Sequence, residues 1–164
     1  MARKIKVSAS ALNIRLHPHP PGRYAEWLEL IFVRRVIAQV HGDRYGMISM
    51  LDRSELEDGV LIGIITTFVK FDDGGVWFNS ENLSEATDAQ VSLVSIPQNL
   101  YPNSATFYFY FDLELHKLYF RSYSRGKVFT ANSGQKFFSS LARSRSYGKI
   151  RRGADNNRSG QSLS

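Results

Sequence analysis

Three side chains that can bind metal ions and transfer protons follow one another at alternate positions of the chain. Asp112, Glu114 and His116 are each separated by a single residue. Alternate residues of a β-strand point to the same face of its sheet, so one continuous strand would bring these groups together. Two carboxylates and an imidazole can bind a hard or borderline metal ion or act in acid–base catalysis. The same spacing arises where the polar side of a hairpin meets solvent, and we find no second ligand cluster to complete a metal site.

Five residues of the same stretch predict a binding surface. Tyr108, Tyr110, Tyr119, Arg121 and Tyr123 alternate with apolar residues and would share the polar face of a strand pair. Tyrosines beside a cation on an open sheet can stack single-stranded bases. Cross-strand tyrosine pairs also stabilise sheets, and a helix or a following segment could cover this face. Recognition of nucleic acid, recognition of a protein partner and a purely structural use therefore all stay open.

These candidate residues are positioned by a β-hairpin predicted at residues 105–123. The sequence ATFYFYFDLELHKLYFRSY alternates between apolar and polar residues, which is typical of a half-buried antiparallel strand pair. The apolar face is predicted to hold Phe107, Phe109, Phe111, Leu113, Leu115, Leu118 and Phe120.

The rest of the chain predicts an α+β fold. Further strands are predicted at residues 4–16 (with a small-residue break near 8–11), 46–51, 60–71, 76–78 and 91–96. A helix is predicted at residues 23–40, although its β-branched residues leave a strand possible from residue 28. A short helix is predicted at residues 132–141, capped by Asn132 or Ser133. The nearly continuous apolar run at 60–71 predicts a central strand covered on both faces. We expect one mainly antiparallel sheet of five to seven strands, with a helix packed on one face and a short C-terminal helix.

The composition excludes several classes of site. The 164 residues include no cysteine, which excludes disulfides, thiolate metal sites and a cysteine nucleophile within this sequence. No P-loop, nucleophile elbow, zinc-protease or dinucleotide motif occurs, and we predict no cofactor. No apolar run approaches the roughly 20 residues that span a bilayer, and no signal-peptide pattern is present. We therefore expect a cytoplasmic protein without a membrane-spanning segment.

The positive charge is concentrated at one end of the chain. The formal net charge is +6, of which +5 belongs to residues 142–164 and +1 to residues 1–141. Because the body is nearly neutral, the total charge does not by itself predict a nucleic-acid site on it. We predict a folded domain at residues 1–141 and a disordered basic tail at residues 142–164.

Two segments resemble a known family. Both are similar to the N-terminal half of a bacterial domain family of unknown function. The first is VWFNSENLSEATDAQVSLVSIPQNLYPNSATFYFYFD, and the second is LHKLYFRSYSRGK, followed by ANSGQKFF. That family is encountered near mobile-element and phage-defence genes. The resemblance implies such a setting and supplies neither a mechanism nor catalytic residues. Together with the polar-aromatic face of the hairpin, it leads us to expect a non-catalytic binding or interaction module that recognises nucleic acid or a protein partner. A metal-dependent nuclease or toxin that uses Asp112, Glu114 and His116 is the alternative.

The sequence departs from this family after residue 141. Members of the family are longer and continue with another α/β stretch, whereas residues 142–164 show no periodicity. Codons for these residues can be chosen so that the neighbouring reading frame encodes the pattern of a helix followed by a strand. A frameshift is therefore one hypothesis for this segment, and a genuine basic tail is the other. A sheet left partly uncovered would self-associate, so we also expect a homo-oligomer.

Overall fold

The aromatic hairpin predicted from the sequence lies inside a larger antiparallel sheet. The computed structural model of the protein describes residues 7–16, 22–71 and 75–143. Within these residues the elements are β1 (Ala9–Asn13), α1 (Gly22–Val33), β2 (Ala38–His41), β3 (Arg44–Asp52), β4 (Val60–Val69), β5 (Phe78–Asn79), β6 (Ser84–Glu85), α2 (Asp88–Val91), β7 (Ala105–Asp112), β8 (Lys117–Arg121), β9 (Tyr123–Ser124), β10 (Lys127–Val128) and α3 (Ala131–Arg143).

Six of the strands form one curled sheet in the order β1-β8-β7-β4-β3-β2. Every neighbouring pair in it is antiparallel, and the short strands form two separate ribbons, β5–β6 and β9–β10. The predicted α+β class, the strand number and the C-terminal helix are confirmed. Most of the predicted tail, residues 144–164, lies outside the described residues, as do residues 1–6, 17–21 and 72–74.

The two longer helices pack on the same face of this sheet, which we call the inner face. Tyr24 of α1 meets the ring of Phe111 at 5.6 Å between centroids, edge to face. Trp27 of α1 contacts Phe138 of α3 at 6.3 Å. Helix α3 contacts both edge strands, β1 and β2, so the sheet curls around it. Neither helix packs over the exposed tyrosines on the opposite side of the sheet, which we call the outer face, and only the C-terminal end of α1 reaches a groove at its margin.

Alternation in the hairpin assigns its residues to the two faces as predicted, except at the turn. Phe107, Phe109 and Phe111 are buried on the inner face, with Leu118 and Phe120 opposite them on β8. Leu115 does not join them, because β7 ends at Asp112 and the turn leaves Leu115 mostly exposed. The strand period applies only while the chain stays extended.

The first helix is shorter than the sequence predicts. It ends at Val33, because Arg35 adopts a left-handed φ of 51° and the Val36 N–H donates to the carbonyl of Ile31 at 3.1 Å. From Ala38 the chain pairs with β3 as strand β2. The helix predicted through residue 40 was wrong, since the apolar residues there satisfy both periods and pairing with β3 decides between them.

Three predicted strands also differ. Strand β1 runs through the small residues expected to break it, since pairing with β8 supplies its hydrogen bonds. No strand forms at residues 91–96, because a capping box between Thr87 and Gln90 starts the helix α2 and residues 92–96 are exposed. The strand expected at residues 76–78 is reduced to β5. Strand β4 is central, but it is buried on its inner face and only partly covered on its outer face.

The last helix is capped two to three residues before its predicted caps. The Ser133 N–H donates to Oγ1 of Thr130 at 3.1 Å, so Thr130 caps α3 in place of Asn132 or Ser133. A Cβ at Gly134 would lie 2.8 Å from Cδ1 of Leu12. The glycine thus permits a close approach of α3 to β1, which helps to hold the curl of the sheet.

Candidate functional site

The candidate site is the outer face of the sheet, where three predicted tyrosines are exposed together. Tyr108, Tyr110 and Tyr119 are 54%, 43% and 39% exposed. Tyr110 lies directly opposite Tyr119, and their ring centroids are 6.2 Å apart with the planes tilted by 55°. The rings therefore support each other across the strands and still present their surfaces to solvent.

Strand register continues this surface across the sheet with aliphatic side chains. On β4, Ile62 is opposite Tyr110 and Ile64 is opposite Tyr108. Met50 of β3 is in turn opposite Ile64. Directly opposite residues share a face, so the tyrosines adjoin a half-buried apolar strip. The result is one surface with an aromatic side and an aliphatic centre.

A groove of about 860 Å³ opens at the other end of the outer face. Met47 and Thr66 form part of its floor, because they are paired on the outer side of β3 and β4. Val33 and Leu100 line its walls, and both are strongly exposed apolar residues. This groove can accept an apolar side chain from a ligand that lies on the sheet.

The charges of the outer face lie at its margins. Lys117 and Arg121 occupy the two ends of β8, while Asp112 lies opposite Lys117 and Asp52 lies opposite Ile62. The Ser54 N–H donates to Oδ1 of Asp52 at 2.9 Å and holds the pKa of this carboxyl below its usual value. Asp52 therefore stays ionised at neutral pH, and Asp52 and Asp112 offset Lys117 and Arg121. Two further cations lie near the groove, where Arg35 lines its wall and Nζ of Lys70 lies 5.6 Å from the centroid of the Tyr45 ring.

Tyr123 and Arg121, the remaining predicted binding residues, differ in their position. Arg121 is the last residue of β8, and the register of the hairpin continues to place it beside Tyr108. Tyr123 is 51% exposed but belongs to the separate β9–β10 ribbon, where it pairs with Val128. Four of the five predicted residues thus lie on the six-stranded sheet, and Tyr123 does not.

Asp112, Glu114 and His116 do not share one strand face. Asp112 ends β7, and its Oδ1 accepts the N–H groups of Glu114 at 3.1 Å and Leu115 at 2.8 Å. His116 has a φ of 56°, and its ring stacks on the buried Tyr24 at 5.0 Å. In the described parts of the chain, no group of three or more histidine, cysteine, aspartate or glutamate residues could hold a metal ion. The expected convergence of these three side chains was wrong, because the hairpin turns at residue 113 and the alternation stops there.

Comparison with known families places these elements in one domain. A family model described as a domain of unknown function (DUF4747) matches residues 5–151. The chain belongs to this family. The match spans every strand and helix described above, so the outer face is part of the DUF4747 domain. No curated protein matches the chain, and no solved structure does. Among the described residues, no helix has both the length and the apolar character needed to cross a membrane.

Sequence reasoning did not find the aliphatic half of this surface. Ile62 and Ile64 lie on the strand predicted to be covered on both faces, and Met47 and Met50 lie on a strand whose faces the sequence did not assign. All four join the tyrosines only through the register of β3, β4 and β7. A weak signal existed at Ile62 and Ile64, because they alternate with the residues of β4 that are fully buried. Nothing in the sequence marks the bulge after Ile48 that places Met50 on the outer face.

Proposed function

We propose that this DUF4747 domain is a non-catalytic binding module that recognises a protein partner through the outer face of its sheet. The observation that carries the proposal is the open outer face itself. Tyr108, Tyr110 and Tyr119 are exposed there, while α1 and α3 pack on the opposite side. Exposed aromatic residues that are not needed to close the core are available for a partner.

The residue types of this face match those of protein interfaces. Tyrosine, methionine and arginine are enriched at the centres of interfaces, and charged residues are depleted there. Two of the three methionines of the chain, Met47 and Met50, lie on this face beside the tyrosines. The charged residues at the ends of β3, β7 and β8 lie at its margins, as in an interface with an apolar centre and a polar rim.

The groove supplies the concave feature that such an interface needs. Residues that dominate binding are usually large side chains seated in a desolvated pocket. The groove beside Met47 and Thr66 has apolar walls at Val33 and Leu100. It would take one apolar side chain of the partner, while the tyrosines cover the adjoining surface.

Single-stranded nucleic acid is the second candidate ligand. The observation in its favour is that three exposed tyrosines share one sheet face with Arg121 and Lys117, an arrangement that can stack bases. Against it, Asp52 and Asp112 offset those cations on the same face, and nucleic-acid sites depend strongly on positive charge.

The setting of the module is inferred from the family resemblance alone. That resemblance supports a role in a phage-defence or mobile-element system. A metal-dependent nuclease or toxin has less support. Asp112 caps its own turn, His116 stacks on Tyr24, and no group of three or more metal-binding side chains lies together among the described residues.

Photo-cross-linking in the native cells tests the proposal and identifies the ligand class. A photoreactive amino acid at position 108 should give a protein adduct, whereas the same group at position 123 should not. Tyr108 and Tyr123 are equally exposed, so this pair controls for exposure. A nuclease-sensitive adduct would show that the ligand is nucleic acid and not a protein. The absence of any adduct from position 108 would contradict binding at this face.

Tyrosine truncation provides the quantitative test once the partner is captured. The double variant Tyr110→Ala/Tyr119→Ala should bind it at least about 30-fold more weakly, because one interface anchor contributes about 2 kcal/mol or more. Titration calorimetry measures the loss, and Tyr123→Ala is the matched control with unchanged affinity. Equal weakening by the control would place the interface elsewhere.

A further inference from the structure

Strand β1 has a free backbone edge among the described residues. Of the described strands it pairs with β8 alone. The Ser8 carbonyl accepts from the Ser122 N–H at 2.8 Å, and the Ile14 N–H donates to the His116 carbonyl at 2.9 Å, so these residues face β8. In an antiparallel strand, alternate residues direct both backbone groups to the same side. The even-numbered residues therefore bond to β8. The backbone groups of Ala9, Ala11 and Asn13 point to the other side.

This edge lacks the features that normally protect an edge strand. Proteins block such edges with charged residues, prolines, bulges or very short strands. The sequence ASALN of β1 has no charge and no proline, and its register with β8 runs without interruption. Strand β2, at the other edge, is only four residues long and has a register shift between Gln39 and His41. The Gln39 side chain also donates to the carbonyl of Gly42 at 2.7 Å.

We propose that β1 pairs with β1 of a second copy of this chain, antiparallel about a two-fold axis at Ala11. In this register Ala11 faces its own copy, and Ala9 faces Asn13 on both sides of the axis. These are the residues whose backbone groups point away from β8 and have no partner among the described residues, so each pair would exchange two N–H···O bonds. Identical strands can meet without electrostatic repulsion because none of the facing residues is charged.

The side chains at the axis fit this pairing. Ala9, Ala11 and Asn13 are exposed, and they lie on the outer face opposite Arg121, Tyr119 and Lys117 of β8. Small side chains meet at the axis, so the two β1 backbones can approach to the ordinary strand spacing. The isologous contact closes on itself and gives a dimer, not a fibre.

The dimer would join the two outer faces on one side of a continuous sheet. The two β8 strands would be separated by three strand spacings, about 14 Å. The Tyr119 residues of the two copies would then flank the axis. This inference rests on the edge of β1 and not on the protein-binding role of the outer face, so either can fail without the other.

Proline at the axis is the first test of the dimer. Light scattering of the wild-type chain should give twice the monomer mass of 18.7 kDa. Ala11→Pro removes an N–H that points away from β8, so it should give a folded monomer with an unchanged circular-dichroism spectrum. Ala11→Lys, which places like charges opposite each other, should also be monomeric. A monomeric wild-type chain, or a folded proline variant that stays dimeric, would overturn the proposal.

Cysteine cross-linking tests the register without perturbing the fold. The chain has no cysteine, so a single Ala11→Cys variant carries one thiol. Directly opposite residues have Cβ atoms about 4.5–5.5 Å apart, within reach of a short thiol-specific cross-linker. Ala11→Cys should form a covalent dimer on a denaturing gel, whereas Gln39→Cys on the opposite edge should not. Equal cross-linking at both positions would show random collision and contradict the pairing. This assay also decides the matter if Ala11→Pro does not fold.

Discussion

Replacing Phe109 by alanine is expected to lower the free energy of unfolding by about 3–5 kcal/mol. Phe109 is 2% exposed on the inner face, opposite Phe120 of β8 and Gly63 of β4. Its ring fills the space above Gly63, so truncation leaves a cavity bounded by two strands. The sheet backbone cannot close this cavity without losing its register. Urea denaturation monitored by circular dichroism measures the loss.

The neighbouring outer-face residue is the control for that measurement. Tyr110 is adjacent to Phe109 in the chain but is 43% exposed, so Tyr110→Ala removes less buried area. It should cost distinctly less than Phe109→Ala. Equal losses would show that both faces of β7 are covered, and they would also remove the basis for the proposed binding face.

Adding a single methyl group at Gly63 is expected to destabilise the fold by about 3 kcal/mol, the upper end for overpacking. A Cβ there would lie 2.4 Å from Cζ of Phe109 and 2.8 Å from the carbonyl oxygen of Met50. The Phe109 ring could move, but the Met50 oxygen belongs to the backbone next to a bulge of β3. Gly22→Ala is the matched control, because no described residue lies within 4 Å of the added atom. It should change stability by less than about 0.5 kcal/mol.

The two core substitutions should also interact. With Phe109→Ala already present, the clash with the ring at Gly63 is gone and only the contact with the Met50 oxygen remains. The double variant should therefore lose less stability than the two single losses added together, by about 0.5–3 kcal/mol. Strict additivity would show that Phe109 does not lie over Gly63.

The sequence alone determined the features that depend on local periodicity. The alternation from Phe107 to Phe111 assigned the hairpin side chains to two faces, because strand period is a property of the backbone itself. The same alternation predicted that Tyr108 and Tyr110 are exposed. Together with the predicted helices, it also predicted the α+β class. The short C-terminal helix was also predicted, from the apolar pattern that includes Phe137 and Phe138.

Tertiary structure decided every feature for which one local pattern allowed two outcomes. The pattern of residues 36–40 fits a helix or a strand. Pairing with β3 places residues 38–40 in strand β2, and residues 36 and 37 lead into it. Asp112 and His116 fit one continuous strand, but the turn begun by Asp112 separated them. The outer face is assembled from β3, β4, β7 and β8, which are distant in sequence. Its composition depends on their register, and register is set by how the inner-face side chains pack beneath α1 and α3.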